Sequence, residues 1–546
     1  MKTTVRPRET LEEIGQIGTQ LLQDVIAIDS QSDEHSPTIP STEGQKALSS
    51  HLSAFFENLG YSTAQDEYAN LLVHIPATKQ QTNDTKSQPG SDSPPKVVFM
   101  VHMDTSRGTN AVSTLERIPN WDGSRIHYSL NQNIEVALNR FPQTKPFLNQ
   151  DLLHGPGDAP IGLDDKLGMA EMMTMAKLLA TNPQIEHGDL LLACRPDEEI
   201  GRMEAVEGLA EALRDKGVTH GYTIDGISPF EVNIENFNAA SADVRIPGEP
   251  LDLDPMEHNW HLELLIEGAK SHGATAKAEG YLNPTRIFLE CIAPLSRRQD
   301  LIPIGFSSDS TAETNATWTF LIRGETQDDV QRAKSALEKS LHDTMEKHRW
   351  KGVRFSEVGF RRLEDTPQPL NHVMRLFAHL ATLMRIPGEN PLYSEDSEVA
   401  QGYTNPFFVH QHDDHLVLSY RVRDFTTDGL ERRLEHLKTV SQQSPGMPTI
   451  DVQHQYSNMG PKLKDFPELI SWATDAAKAH HYPAHIQPIR GGTGVDPFLN
   501  VGIPIANLGT GYFAPESEKE FTSVQTLAHH VIWLVTLVQR IAQSHP

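Results

Sequence analysis

The chain has 546 residues, 38% of them hydrophobic, a formal net charge of −26 and two cysteines. That length suits two or three domains around a large core, and the acidic balance excludes the basic footprint of a nucleic-acid binder. Cys194 and Cys291 make no disulfide framework, and no run approaches the ~20 apolar residues of a membrane span.

The opening MKTTVRPRETLEEIGQ lacks an apolar signal region, so a cytoplasmic location is the expectation. LEEIGQIGTQLLQDVIAI carries apolar residues at helical spacing. STEGQKALSSHLSAFFENLG predicts a second helix, capped by Ser41 or Thr42 and ended by Gly60. NLLVHIP alternates as a short strand does. TKQQTNDTKSQPGSDSPP has the composition of a disordered surface insertion. VVFMV (97–101) predicts a strand buried on both faces. LDDKLGMAEMMTMAKLLA predicts a helix, GDLLLACR another buried strand, and GVTHGYTID the end of a third. Strands alternating with helices predict an α/β domain with a largely parallel sheet.

Around residue 240 the pattern changes. ATWTFLIRGETQDDVQRAKSALEKSL matches HLVLSYRVRDFTTDGLERRLEHLKTV at an offset of 100, pairing Arg323 with Arg423, Thr326 with Thr426 and Asp328 with Asp428. Upstream of each lies a strand and a helix: HLELLIEGAK and NPTRIFLECI, then VRFSEVGF and NHVMRLFAHLATLM. The expectation is an inserted α+β domain at 241–454, holding two β-α-β-β-α copies at about 250–350 and 351–454. It divides a first domain into 1–240 and 455–546, and HIQPIRGG and IPIANLG predict strands returning to the first sheet.

Candidate ligands stand at the ends of the buried runs. His102 and Asp104 follow VVFMV, Asp164 opens the helix after GL, Glu198 and Glu199 follow LLACRP, and Asp225 closes GYTID. Ligands of open α/β sheets gather at the carboxyl ends of strands. Singly each is weak, because H-x-D arises by chance and a DEE run is ordinarily a solvated turn. Together in one low-dielectric crevice they would repel one another unless a cation held them. Mixed imidazole and carboxylate donors suit zinc, cobalt or manganese.

The stretches DSQS, PSTEGQ, HMDTS, GLDDKLGMAE, PDEEIG, YTIDG, ENFNAAS, YRVRDF and PIRGGT resemble the peptidase T-like co-catalytic zinc exopeptidases, a family that includes carboxypeptidase G and aminoacylase relatives. The resemblance implies a phosphorylase/hydrolase-like catalytic domain and a lid of ferredoxin-like copies. It implies two divalent ions, zinc above all. His102 and Asp225 would hold one ion, Asp164 would bridge, and Glu199 would hold the second. Glu198 would be the general base toward the attacking water, and Asp104 would orient His102. Arg490 in PIRGGT would bind a peptide carboxylate. Arg423, His272 and Asn283 would be substrate contacts from the lid. A small peptide is the implied substrate. The doubled lid implies a monomer in which one copy stands in for a second subunit, with a homodimer as the alternative.

The chain departs from the family near its end. Family members carry YHGKHEF, whose first histidine is a ligand; here the segment is ESEKEF, which aligns Glu516 with that histidine. GGTDG becomes GGTGV, with Gly494 in place of aspartate. If Glu516 is a ligand, the second site is all carboxylate, and its preference shifts toward manganese or cobalt or its hold on zinc weakens. If it is not, the second site is lost. The expected activity is that of an aminopeptidase on di- or tripeptides. The alternatives are an N-acyl amino acid amidohydrolase and a catalytically silent peptide- or metal-binding relative.

Overall fold

The computed structural model describes residues 4–78, 94–111, 114–269, 282–308, 315–348, 353–365 and 367–544. Most of the predicted polar insertion, and His272, lie outside the described residues. The strands in chain order are β1 (Ser62–Gln65), β2 (Leu71–Ile75), β3 (Val97–His102), β4 (Glu116–Ile118), β5 (Leu152–His154), β6 (Leu190–Arg195), β7 (His220–Gly226), β8 (Glu231–Asn233), β9 (Asn238–Pro247), β10 (His258–Glu267), β11 (Leu301–Ser308), β12 (Ala316–Gly324), β13 (Arg354–Arg362), β14 (Tyr403–Gln411), β15 (His415–Asp424), β16 (Thr449–Tyr456), β17 (His485–Ile486), β18 (Ile505–Gly509) and β19 (Phe521–Ser523).

The first compact unit comprises Met1–Asn236, Met459–Ile489 and Thr493–Pro546. Its eight-stranded sheet has the order β1-β2-β6-β3-β7-β18-β8-β17. β3 pairs in parallel with β6 and β7, and β18 in parallel with β7, while β2 joins β6 antiparallel. β3 and β6 are buried at every position, which is why both read as unbroken apolar runs. The helix Leu163–Thr181 is buried almost all round, as a core helix must be. It packs on the helices Leu11–Ile26 and Val524–Gln543. Those two helices also pack on each other, and Gly18 permits their approach, because a Cβ there would overlap the Leu527 side chain. A small sheet, β19-β5-β4, stands apart. Trp121, Phe141, Phe147, Phe513 and Phe521 form its own apolar cluster, which grips both ends of the 511–521 segment.

The second unit comprises Phe237–Asn458 and Arg490–Gly492. It contains two four-stranded antiparallel sheets of the same design, β11-β12-β10-β13 and β14-β15-β9-β16. Each is a ferredoxin-like βαββαβ arrangement. Thr326 and Thr426 cap the matching helices Gln327–Lys347 and Thr427–Gln443 through side-chain hydrogen bonds to Asp329 N and Gly429 N. The copies meet at β11 and β14: Phe306 N donates to Gln411 Oε1 (3.0 Å) and Val409 N to Ser308 Oγ (3.2 Å). One apolar core runs under both sheets.

The strand assignment differs from the sequence expectation in one respect. VRFSEVGF was expected to open the second copy, but as β13 it pairs with β10 and closes the first sheet. The second copy opens with β9, which pairs with β15 and β16. The first copy is thus inserted within the second, and strand pairing across such a gap leaves no local mark in sequence. The cap of the second helix also differs. Thr42 is in the capping position without a side-chain cap bond, and Ser41 turns instead to Asp197 (2.5 Å). Among the described residues no helix is long and apolar enough to cross a membrane.

Candidate metal centre

The carboxyl ends of β3, β6 and β7, with the first turn of the helix Leu163–Thr181, bring His102, Asp104, Asp164, Glu198, Glu199 and Asp225 together in the first unit. His102 Nε2 lies 2.9 Å from Asp164 Oδ1 and 3.5 Å from Asp225 Oδ1. His102 Nδ1 lies 2.9 Å from the Asp104 carbonyl and 3.4 Å from its carboxylate. With Nδ1–H facing Asp104, the lone pair of Nε2 is available to a cation shared with the Asp164 and Asp225 carboxylates. His102, Asp164 and Glu199 offer ligand atoms within 4.8 Å of one another, and so do His102, Asp165 and Asp225.

The turn that carries the two glutamates is held from beneath. Asp197 has a positive φ of 50°, unfavourable for a side chain other than glycine. It is held there by Ser41 N (2.8 Å), Ser41 Oγ and Gln45 Nε2 (2.7 Å) on its carboxylate, while its own N–H donates to Gln45 Oε1 (3.0 Å). PSTEGQ thus acts on the centre through Asp197. Asp104 completes the turn, accepting from Glu198 N (2.8 Å) and Glu199 N (3.1 Å). One aspartate therefore orients the imidazole and anchors the DEE loop.

Electrostatics in this pocket call for cations. Burial alone would push the His102 pKa down, but Asp225, Asp104 and Asp164 raise it well above the usual imidazole value. Burial, then the nearby charges of Glu516 and Asp164, hold the Glu199 carboxyl well above the carboxylate range. Burial and Asp164 push Asp225 up to about 7. Glu199 Oε1 is buried and has no hydrogen-bond partner. An orphaned carboxylate oxygen facing other carboxylates is costly unless a cation meets it, so the donor set fits divalent ions.

Several contributors have no signature in sequence spacing. Asp165 accepts from His102 N (3.2 Å) behind the site, across a cis peptide from Asp164. Tyr512 Oη donates to Asp164 Oδ2 (3.0 Å). Glu520 is buried and accepts from Ile161 N (2.8 Å), Gly162 N (2.9 Å) and Leu163 N (3.4 Å) through one oxygen, and from Glu516 N (2.8 Å) through the other. It ties the turn that carries Asp164 to the turn that carries Glu516. Glu516 is half-buried with φ 53°, and its charge is felt at Glu199.

The other candidates lie in the second unit. Arg490 donates to the Ser397 carbonyl (3.2 Å) and to Ser397 Oγ, and its guanidinium stands over the Tyr403 and Phe237 rings. Arg423 is buried and donates from Nη1 to the carbonyls of Ala240 and Val422 (both 3.0 Å). Its repeat counterpart Arg323 likewise reaches Asn259 and the Asp254 carbonyl. Asn283 caps the helix Pro284–Ile292 through Thr285 N (2.9 Å) and donates to Asn405 Oδ1 (2.8 Å).

No family model matches the chain. Among named relatives, peptidase T of Desulfitobacterium hafniense is 36% identical over 226 residues, 41% of this chain and 51% of that protein. The match thus spans about half the length of that relative. Peptidase T of Bacillus cereus is 24% identical over 526 residues, 95% of this chain and 96% of the relative. Two solved structures share the fold. The aminoacylhistidine dipeptidase of Vibrio alginolyticus has a TM-score of 0.56 at 16% identity, covering 99% of each chain. A tripeptidase from Staphylococcus aureus has a TM-score of 0.54 at 14% identity, covering 97% of this chain and 99% of that one.

Proposed function

We propose, for a chain that is peptidase T-like along almost its whole length, that it is a metal-dependent exopeptidase removing the amino-terminal residue of di- and tripeptides. The observation that carries this reading is that His102 meets Asp164 and Glu199 on one side and Asp225 on the other, with a buried Glu199 oxygen left without a hydrogen-bond partner. His102 and Asp225 would hold one divalent ion, Glu199 with Glu516 would hold the second, and Asp164 would serve both. When bound, two such ions acidify water and polarise a peptide carbonyl. Glu198 is the general base: it accepts the proton of the attacking water and returns it to the leaving amine. Asp104 keeps the His102 tautomer and the DEE turn in place.

Arg490 receives the peptide carboxylate, its planar fork suiting two parallel hydrogen bonds. By resemblance, Arg423, His272 and Asn283 are the further substrate contacts. Zinc is the native ion in this reading, with the carboxylate-rich second position open to manganese or cobalt. The two ferredoxin-like copies serve as one complete lid, so the working species is a cytoplasmic monomer.

A panel of di- and tripeptides, assayed with zinc, manganese and cobalt, tests the reading. Release of the amino-terminal residue is expected from wild type. Glu198→Gln should lower kcat by about 10²–10⁴-fold with metal content retained. A Glu198→Gln protein as active as wild type would remove Glu198 from the chemistry.

A further inference from the structure

Arg195 ends β6 and is 3% exposed. Its backbone sits beside His102 in the parallel pairing of β3 with β6, and its carbonyl accepts from Met103 N (2.8 Å). Its guanidinium has two partners: Nη2 donates to the Thr493 carbonyl (3.1 Å) and to Glu198 Oε1 (3.2 Å). Glu198 stands three positions after Arg195, across a turn, so the pair closes the DEE loop onto its own strand.

The room for this guanidinium comes from the other end of the chain. A Cβ on Gly494 would overlap the Arg195 guanidinium nitrogens, and Gly494 has φ +56°. The residue that replaces the family aspartate in GGTGV is thus the one that lets Arg195 lie against Thr493 and reach Glu198. An arginine planted at a carboxylate and anchored on a carbonyl fixes direction as well as charge, because its fork is planar and pre-organised.

We propose that Arg195, seated by Gly494, is a positioning residue for Glu198, holding the general base of the reaction proposed above in its productive direction. The inference rests on that reading of Glu198. It adds a device that depends on Arg195 and Gly494 as a pair. Glu198 touches the reacting water, and Arg195 acts only through Glu198. The second carboxylate of the loop, Glu199, keeps its own place through Asp104, so metal binding is separable from aiming the base.

The test compares Arg195→Met, Arg195→Lys, Gly494→Ala and the Arg195→Met/Gly494→Ala double variant on one dipeptide with zinc-loaded protein. A base moved by a fraction of its reach costs rate, and misplacement of about 1 Å can cost ~10²-fold. The expected result is a tenfold or greater loss of kcat in Arg195→Met at little-changed KM and unchanged zinc content. Gly494→Ala should show the same loss, and the double variant no further loss. Arg195→Lys should recover part of the rate, as a merely space-filling role would not require. Wild-type turnover that Glu198→Gln abolishes and Arg195→Met leaves intact would overturn Arg195 alone. Losses that multiply in the double variant would overturn the Gly494 link. Wild type inert toward every peptide and metal would overturn the peptidase reading and Arg195 with it.

Discussion

At the scale of single residues, the acidic segment ESEKEF divides into two roles. Glu516 borders Glu199, whereas Glu520 points the other way and collects backbone N–H groups from both turns of the centre. Removing its carboxylate strands those donors, each costing on the order of 1–3 kcal/mol if it stays dry. Glu520→Ala is therefore expected to lower Tm and to let Asp164 and Glu516 drift apart, weakening zinc retention. Glu520→Gln keeps an acceptor oxygen and should lie between. Equilibrium dialysis followed by metal analysis checks this; a Glu520→Ala protein that retains as much zinc as wild type would sink the idea. Glu520 shows why part of the centre was illegible in the sequence. His102, Glu199 and Asp225 are marked by the buried strands they follow. Glu520, Tyr512, Asp165 and Arg195 act through backbone groups or a single partner, and such contacts have no periodicity.

At the scale of elements, the repeat was legible because both copies contain the same strand, turn and helix, with Thr326 and Thr426 at equivalent caps. Its boundaries were not, because β9 precedes the inserted copy while β15 and β16 follow it. The structure also shows what the duplication does to strand edges. An edge strand is a template for pairing with another chain, and β11 and β14 lie against each other within one polypeptide, where the Gln411 and Ser308 side chains take up the backbone N–H groups of Phe306 and Val409. The remaining edges, β13 and β16, are poor substitutes. They carry Arg354, Glu357, Arg361 and Arg362, and Asp451 and His454, on strands exposed along most of their length, and charged edges resist pairing. The expected result is a single monomeric species in sedimentation velocity across a hundredfold range of concentration. A dimer persisting at the dilute end would show that the two copies do not replace a partner.

At the scale of the whole molecule, the metal centre and the net charge act together on stability. Without ions, burial pushes Asp225 up to about 7 and Glu520 up to about 8, and His102 is raised well above its ordinary value by its carboxylate neighbours. All three lie above their unfolded values, so at these groups the folded chain holds more protons than the unfolded chain, whereas buried His379 and His530, pushed down to about 4 and about 3, act in the opposite sense only below about pH 6.5. Above that point stability falls as pH rises, because the slope follows the protons bound by the unfolded state minus those bound by the native state. Self-repulsion of a chain at −26 adds in the same direction. Divalent ions reverse the balance locally. They bind the deprotonated ligands and compete with protons, so their stabilisation grows with pH. Calorimetric scans in EDTA should therefore show Tm declining from about pH 6.5 to 8.5, while zinc-loaded protein holds its Tm over the same range. The gap between the two curves should widen steadily toward alkaline pH and shrink in the Asp225→Asn variant, which titrates no carboxyl at that position. Parallel curves, with a gap independent of pH, would show that the buried acids of the centre are not the groups that zinc deprotonates.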